Sequence, residues 1–181
     1  MLASRSPQRK AILEQLGIRF QVVAPDVEEV VEGDPRAVVV ENALRKARAV
    51  EGERILAADT AVVIEGRARG KPSGAAQARD WLERLQGREH QVWGGIAMRS
   101  SAGERASAAM TRVWFRQLEP SEVDWYLATG EWRERAGAYA IQGRGAALID
   151  RVDGDFWNVV GLPVRELTRI APDLIVDSIR P

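Results

Sequence analysis

Between Arg54 and Ala58 the chain reads Arg-Ile-Leu-Ala-Ala, a short apolar run with no polar face to turn toward water. Such a run suits a strand buried on both sides, and a strand of that kind needs helices to cover it. The flanking sequence supplies them. Ser6-Pro7 is a helix-start pair, with serine able to cap and proline suited to the first helical position. Ala11, Ile12, Leu13 and Leu16 follow at helical spacing and Gly17 closes the helix. Pro35 opens a second helix through Ala43, Leu44, Ala47 and Val50, stopped by Gly52. Ala75, Ala78, Trp81, Leu82 and Leu85 predict a third, ending at Gly87. Phe20–Val23 alternates as a strand.

The central run is expected to stop at Asp59-Thr60, with Val62–Ile64 and Arg67–Arg69 forming a strand and tight turn around Glu65-Gly66. His90–Met98 and Ser107–Phe115 predict two long antiparallel strands. A helix from Pro120 to Gly130, a strand from Ala146 to Val152 and a helix from Val164 to Ile170 complete the reading. Strands alternating with helices, then a hairpin, imply an α/β fold with a mixed sheet.

At 181 residues the chain fits one domain, or two closely joined lobes, spanning its whole length. Lysine plus arginine (26) equals aspartate plus glutamate (26), so no net field draws it to nucleic acid or anionic lipid. No cysteine and a single histidine, His90, exclude disulfides, thiolate nucleophiles and Cys/His zinc sites. Any chemistry must rest on carboxylates, hydroxyls, amines, guanidiniums and a metal held by oxygen. Met1–Arg5 lacks the basic and apolar regions of a targeting segment, and no run is long enough to span a bilayer, so a cytoplasmic location is expected.

Five places could carry that chemistry. Asp59 stands at a carboxyl-terminal end of an apolar strand, where ligand sites of open α/β sheets gather; a simple turn is the competing reading. Ser4-Arg5-Ser6-Pro7-Gln8-Arg9 combines hydroxyls, helix N–H groups and a guanidinium suited to phosphate, although the same sequence can merely cap a helix. Gly70-Lys71-Pro72 holds a lysine on a constrained loop. Lys46 lies on an amphipathic helix within Glu41-Asn42-Ala43-Leu44-Arg45-Lys46-Ala47. Gln142 sits in the Gly/Ala-rich stretch Ala136–Gly145, where the backbone can approach a ligand and an amide can read a base edge. Lysine occurs only at Lys10, Lys46 and Lys71, so two of three fall on these candidate positions. His90 and the six scattered tryptophans read as packing residues.

In order, L-A-S-R-S-P-Q-R, the acidic loop with Glu29, N-A-L-R-K-A-R-A-V, L-A-A-D-T, G-K-P, L-Q-G-R-E-H-Q-V, A-G-A-Y-A-I-Q-G-R-G and N-V-V-G-L-P resemble the Maf family, from Leu2 to about Pro163. The resemblance implies a mixed, largely antiparallel twisted sheet with flanking helices and two lobes around a cleft. It also implies an enzyme that cuts a nucleoside triphosphate to its monophosphate and pyrophosphate with a divalent metal, usually Mg2+, with Mn2+ or Co2+ as alternatives. On this resemblance Asp59 matches the acceptor carboxylate, and Glu29 with Asp59 the metal ligands. Ser4, Ser6, Gln8, Arg9, Lys46 and Lys71 would line the phosphate site. Homodimers are common in the family, so a homodimer is a further expectation.

The branch acting on dTTP and UTP carries threonine after the aspartate and glutamine in I-Q-G, as Thr60 and Gln142 do here. It carries arginine after the proline, where this chain has Gln8. The resemblance therefore favours dTTP and UTP, with 7-methyl-GTP as an alternative. The inosine triphosphate pyrophosphatase family also uses an E-N-A-x-x-K-A helix, but it opens on T-x-N-x-x-K, which this chain lacks. A non-enzymatic regulator of septum formation is the alternative from another class.

Overall fold

Local chemistry sets the helix starts in the computed structural model, which describes residues 1–177. Helix α1 (Pro7–Gln15) begins with Pro7 in the first turn, and the Ser6 hydroxyl accepts from the Arg9 N–H. Helix α2 (Pro35–Arg48) repeats the device, with the Asp34 carboxylate accepting from the Ala37 N–H at 3.0 Å. Helix α3 spans Ala75–Leu85, and α4 (Pro120–Thr129) opens on a Glu119/Glu122 capping box and closes on Gly130 in the left-handed region.

The strands are β1 (Leu2–Ala3), β2 (Val22–Val23), β3 (Arg54–Ile64), β4 (Arg67–Arg69), β5 (Glu89–Ser100), β6 (Gly103–Phe115) and β7 (Ile149–Asp153). They form one seven-stranded sheet in the order β2-β1-β3-β5-β6-β7, with β4 also on β3. Among the described residues only the β1 pairings are parallel; the rest are antiparallel. Short helices α5 (Phe156–Val160), α6 (Val164–Ile170) and α7 (Pro172–Asp177) follow. The expected α/β class with a mixed sheet and flanking helices is the one observed. No helix among the described residues is long and apolar enough to cross a membrane.

Four sequence expectations need correction. The central strand does not stop at Asp59-Thr60: β3 runs to Ile64 because β5 pairs with it throughout, Asp59 opposite Gly95 and Thr60 opposite Gly94. What stops there is the opposite edge. Beside β3, β1 covers Leu56 and Ala57 and β4 covers Val62–Ile64, so among the described residues no strand lies against Ala58–Ala61 on that side. The strand expected over Ala146–Val152 begins only at Ile149, since Gly143–Leu148 is 3-10 helix. Phe20–Val23 pairs only through Val22 and Val23. Of the tryptophans, Trp81 and Trp132 are buried as expected, but Trp125 is exposed.

The side-chain alternation of β3 divides the core. Ile55 and Ala57 pack with Ala43 and Ala47 of α2, whereas Leu56 and Ala58 pack with Ile12, Leu13 and Leu167 on the other face. A third cluster joins Val62 and Ile64 to α3, α4 and Tyr139.

Candidate functional site

The gap beside β3 opens into a cleft of about 870 Å³ lined from every part of the chain singled out above. Ser4, Ser6, Gln8, Arg9, Glu29, Lys46, Asp59, Thr60, Lys71 and Gln142 all reach it. Such a volume suits a small organic ligand. Lys10 lies apart from this lining and pairs with Glu14 one turn along α1.

Alternation sends Asp59 toward α2 and Thr60 toward α1. On the α2 side, Asn42 and Lys46 stand one helical turn apart on the face packed against the sheet. Lys46 Nζ lies 2.6 Å from Asp59 Oδ1 and 2.6 Å from Glu29 Oε1. Asn42 Nδ2 donates to Asp59 Oδ2 at 3.0 Å. Lys46 and Asp59 are buried, while Glu29 is half exposed. The segment carrying Glu29 is held on both sides by α2. Asn42 bonds the N–H and C=O of Val30 at 2.7 and 2.9 Å, and Arg45 donates to the Glu28 carbonyl at 3.3 Å.

Two glycines make this close seating geometrically feasible. A Cβ on Gly95 would lie 2.0 Å from the Val39 carbonyl oxygen of α2, and one on Gly94 would lie 1.8 Å from Asn158 Oδ1 on the opposite face.

On the Thr60 side, the Arg9 guanidinium ties three elements together. Nε donates to the Gly161 carbonyl at 2.8 Å, Nη1 to Ser4 Oγ at 3.3 Å and Nη2 to Thr60 Oγ1 at 3.1 Å. Burial pulls the Arg9 pKa down from its ordinary value, against the opposing pull of Asp59 and Glu29; a guanidinium still keeps its charge. Ser4 Oγ also accepts from the Ser6 N–H, and Ser6 Oγ donates to Gln8 Oε1 at 3.1 Å. Arg9 thus fixes the frame around Thr60 as well as adding charge to the cleft.

Lys71 stands at the exposed rim, paired with Glu134. The Gly/Ala-rich stretch behind it is secured from several directions. Gly137 N–H donates to Gly70 O at 3.1 Å. Ala140 N–H donates to the Tyr126 hydroxyl at 2.9 Å, and Arg144 and Gly145 N–H groups donate to Glu131. Gln142, exposed, is presented to the cleft by this segment. His90 has no place in the lining: it is buried, its Nε2 meets the Tyr139 hydroxyl at 2.8 Å, and burial lowers its pKa to about 4.

Sequence reasoning missed Asn42, although its motif was in view. Its spacing of four from Lys46 was the available signal. It also missed Arg135 and Glu134, which line the cleft without a motif to mark them.

A deeply placed carboxylate with an ammonium and an amide on its two oxygens is held in one orientation, and each oxygen retains a lone pair for a water or a cation. The sequence profile of the family described as Maf-like protein matches residues 1–173, and the chain belongs to that family. Among its relatives is a dTTP/UTP pyrophosphatase of Anaeromyxobacter sp. (strain Fw109-5), 47% identical over 177 residues, covering 94% of this chain and 86% of the relative. Another of the same name, from Symbiobacterium thermophilum, is 46% identical, with 94% and 91% covered. A third, from Thermus thermophilus, is 45% identical, with 91% and 88% covered.

Proposed function

We propose that this protein hydrolyses dTTP and UTP to the nucleoside monophosphate and pyrophosphate. The observation that carries the reading is the convergence of Asp59 and Glu29 on one Lys46 ammonium, inside a cleft that also holds Lys71, Thr60 and Gln142. Relatives named dTTP/UTP pyrophosphatase support it. Asp59 is the acceptor: it orients a water against the α-phosphorus and takes its proton as the new P–O bond forms. The bond between the α-phosphorus and the bridging oxygen breaks, and pyrophosphate leaves with the electron pair. Lys46, Lys71, Arg9 and the Ser4 and Ser6 hydroxyls offset the charge that develops, since this chemistry depends mainly on positioning and electrostatics.

Asp59 and Glu29 are suited to a divalent cation, because oxygens already gathered on one ammonium can gather on one small ion. No group of three or more Asp, Glu, His or Cys side chains able to hold a metal occurs among the described residues. The remaining ligands would then be substrate oxygens and water, the usual arrangement for Mg2+. Such an ion supplies charge neutralisation on the phosphate oxygens and polarisation of the reacting phosphoryl group. The two-lobed arrangement and a homodimer remain part of this reading, the first supported by the separate cluster that Val62 and Ile64 form with α3 and α4, distinct from the clusters around Leu56 and Ala57 at the start of β3.

The test is a pyrophosphate-release assay on dTTP, UTP, 7-methyl-GTP and ITP, each with magnesium, manganese and cobalt. Preference for dTTP and UTP is expected; preference for ITP or 7-methyl-GTP would overturn the substrate assignment.

A further inference from the structure

Arg135 opens the Gly/Ala-rich segment and lines the cleft. Its Nε is buried without a hydrogen-bond partner, and among the described residues its side chain has no ion pair or hydrogen bond. The nearby carboxylates are engaged elsewhere: Glu134 pairs with Lys71, and Glu131 accepts from the backbone N–H groups of Arg144 and Gly145. Desolvating part of a guanidinium without an anion is unfavourable unless a ligand supplies one.

The backbone holds this cation beside Lys71. Gly137 N–H donates to the carbonyl of Gly70, the residue before Lys71. Gly137 has φ +69°, and a Cβ there would lie 2.6 Å from Val62 Cγ1, so glycine is what lets the segment close onto β3. Two cations therefore share one rim of the cleft, one held by an exposed carboxylate and the other by none.

We propose that Arg135 is a substrate-binding residue that takes oxygens of the triphosphate beside Lys71. The proposal rests on the reading of the cleft as a nucleoside triphosphate site. A planar fork of N–H donors matches phosphate oxygens, and an uncompensated positive charge seeks an anion before it seeks a neutral pyrimidine. Gln142 is the better-matched group for a neutral base.

Inorganic pyrophosphate is the probe, because its binding can be read without turnover. Calorimetric titration with magnesium present is made on the wild type, Arg135→Gln and Arg135→Lys, alongside KM and kcat for dTTP and UTP. We expect Arg135→Gln to weaken pyrophosphate about ten-fold, the scale of one charge-assisted hydrogen bond. KM for both nucleotides should rise similarly, the melting temperature should hold, and Arg135→Lys should recover most of the affinity. Wild-type affinity in Arg135→Gln overturns the proposal, as does wild-type protein that does not bind pyrophosphate. So does an equal loss in both variants with lowered melting temperature, which would mark a structural role. A raised KM for one nucleotide with pyrophosphate affinity intact would move Arg135 to the base and overturn the phosphate assignment. Wild-type protein that binds pyrophosphate but cleaves neither dTTP nor UTP would instead overturn the proposed function, with the Arg135 comparison still readable.

Discussion

The Asn42 side chain donates to Asp59 Oδ2 at 3.0 Å and, through the same amide, closes on both backbone groups of Val30. One buried side chain thereby sets the strand carrying Asp59 against the segment carrying Glu29, while Lys46, one turn along α2, meets both carboxylates. The relative placement of the two carboxylates is built into α2 rather than left to the loop.

Asn42→Ala would leave the Val30 N–H, its carbonyl and one Asp59 oxygen without these partners. Unsatisfied buried groups of this kind cost about 1–3 kcal/mol each, partly recovered by entering water. We expect a stability loss of about 2–3 kcal/mol by urea unfolding and a fall in kcat of at least about ten-fold, because Glu29 and Asp59 lose their common tether. A variant with wild-type kcat would show that the tether does not matter to the reaction.

Asp59→Asn tests the acceptor itself. The amide keeps the shape and can still meet Lys46 with its carbonyl oxygen, but it cannot take a proton at neutral pH. We expect kcat to fall at least about a hundred-fold, the usual loss for a positioned general base. Nucleotide should still bind, as read by calorimetry. Turnover close to wild type with binding retained would remove Asp59 from the acceptor role.

His90 gives a prediction about pH. Its folded pKa of about 4 lies below the ordinary value of 6.5, because burial beside Phe115 and Tyr139 penalises the charged ring. Between those values the unfolded chain binds a proton that the folded chain refuses, so this contribution to stability is present above about pH 6.5 and is lost as pH falls toward 4. The full loss is about 3 kcal/mol. Urea unfolding of wild type and His90→Gln at pH 7, 5.5 and 4 checks it: the difference between the two proteins should shift by about that amount in favour of the variant. Parallel pH curves would mean that His90 is protonated as readily folded as unfolded.

What could be read in the sequence follows from how local each signal is. Asp34-Pro35 and Ser6-Pro7 mark helix starts through groups within four residues, and both helices begin where expected. Asp59 looked like the end of a strand because the sequence shows a polar pair after an apolar run. The interruption belongs instead to its neighbours, since β1 ends at Ala3, opposite Ala57, and β4 ends at Arg69, opposite Val62. No property of residues 54–64 encodes where another strand stops. Ala146–Leu148 misled for a different reason: three small or apolar residues carry no period, and Leu148 is buried in a 3-10 turn as readily as in a strand. The candidate residues were legible as motifs, yet the partners that give them meaning were not. That Arg135 lacks a carboxylate depends on Glu134 and Glu131 being engaged elsewhere, which only the assembled chain decides.

Gly95 joins fold and site most directly, because it pairs with Asp59 across β3 and β5 and lies beneath α2. A Cβ there would stand 2.0 Å from Val39 O and 2.3 Å from Val39 C. These are backbone atoms of a helix, so no side chain can swing aside to make room. Helix α2 would have to lift from the sheet, taking with it Asn42 and Lys46, whose bonds to Asp59 span 3.0 and 2.6 Å and have little length to spare. We expect Gly95→Ala to cost about 3 kcal/mol or more, at the upper end of overpacking effects, and to lower kcat even in molecules that remain folded. Gly74→Ala is the control: its φ is −179° and nothing lies within 4 Å of the added methyl, so stability and activity should hold. Melting curves and kcat for both variants separate the cases. A Gly95→Ala protein that melts and turns over like wild type would mean that α2 is not seated against β5 by this contact, and the account of how Lys46 and Asn42 reach Asp59 would fall with it.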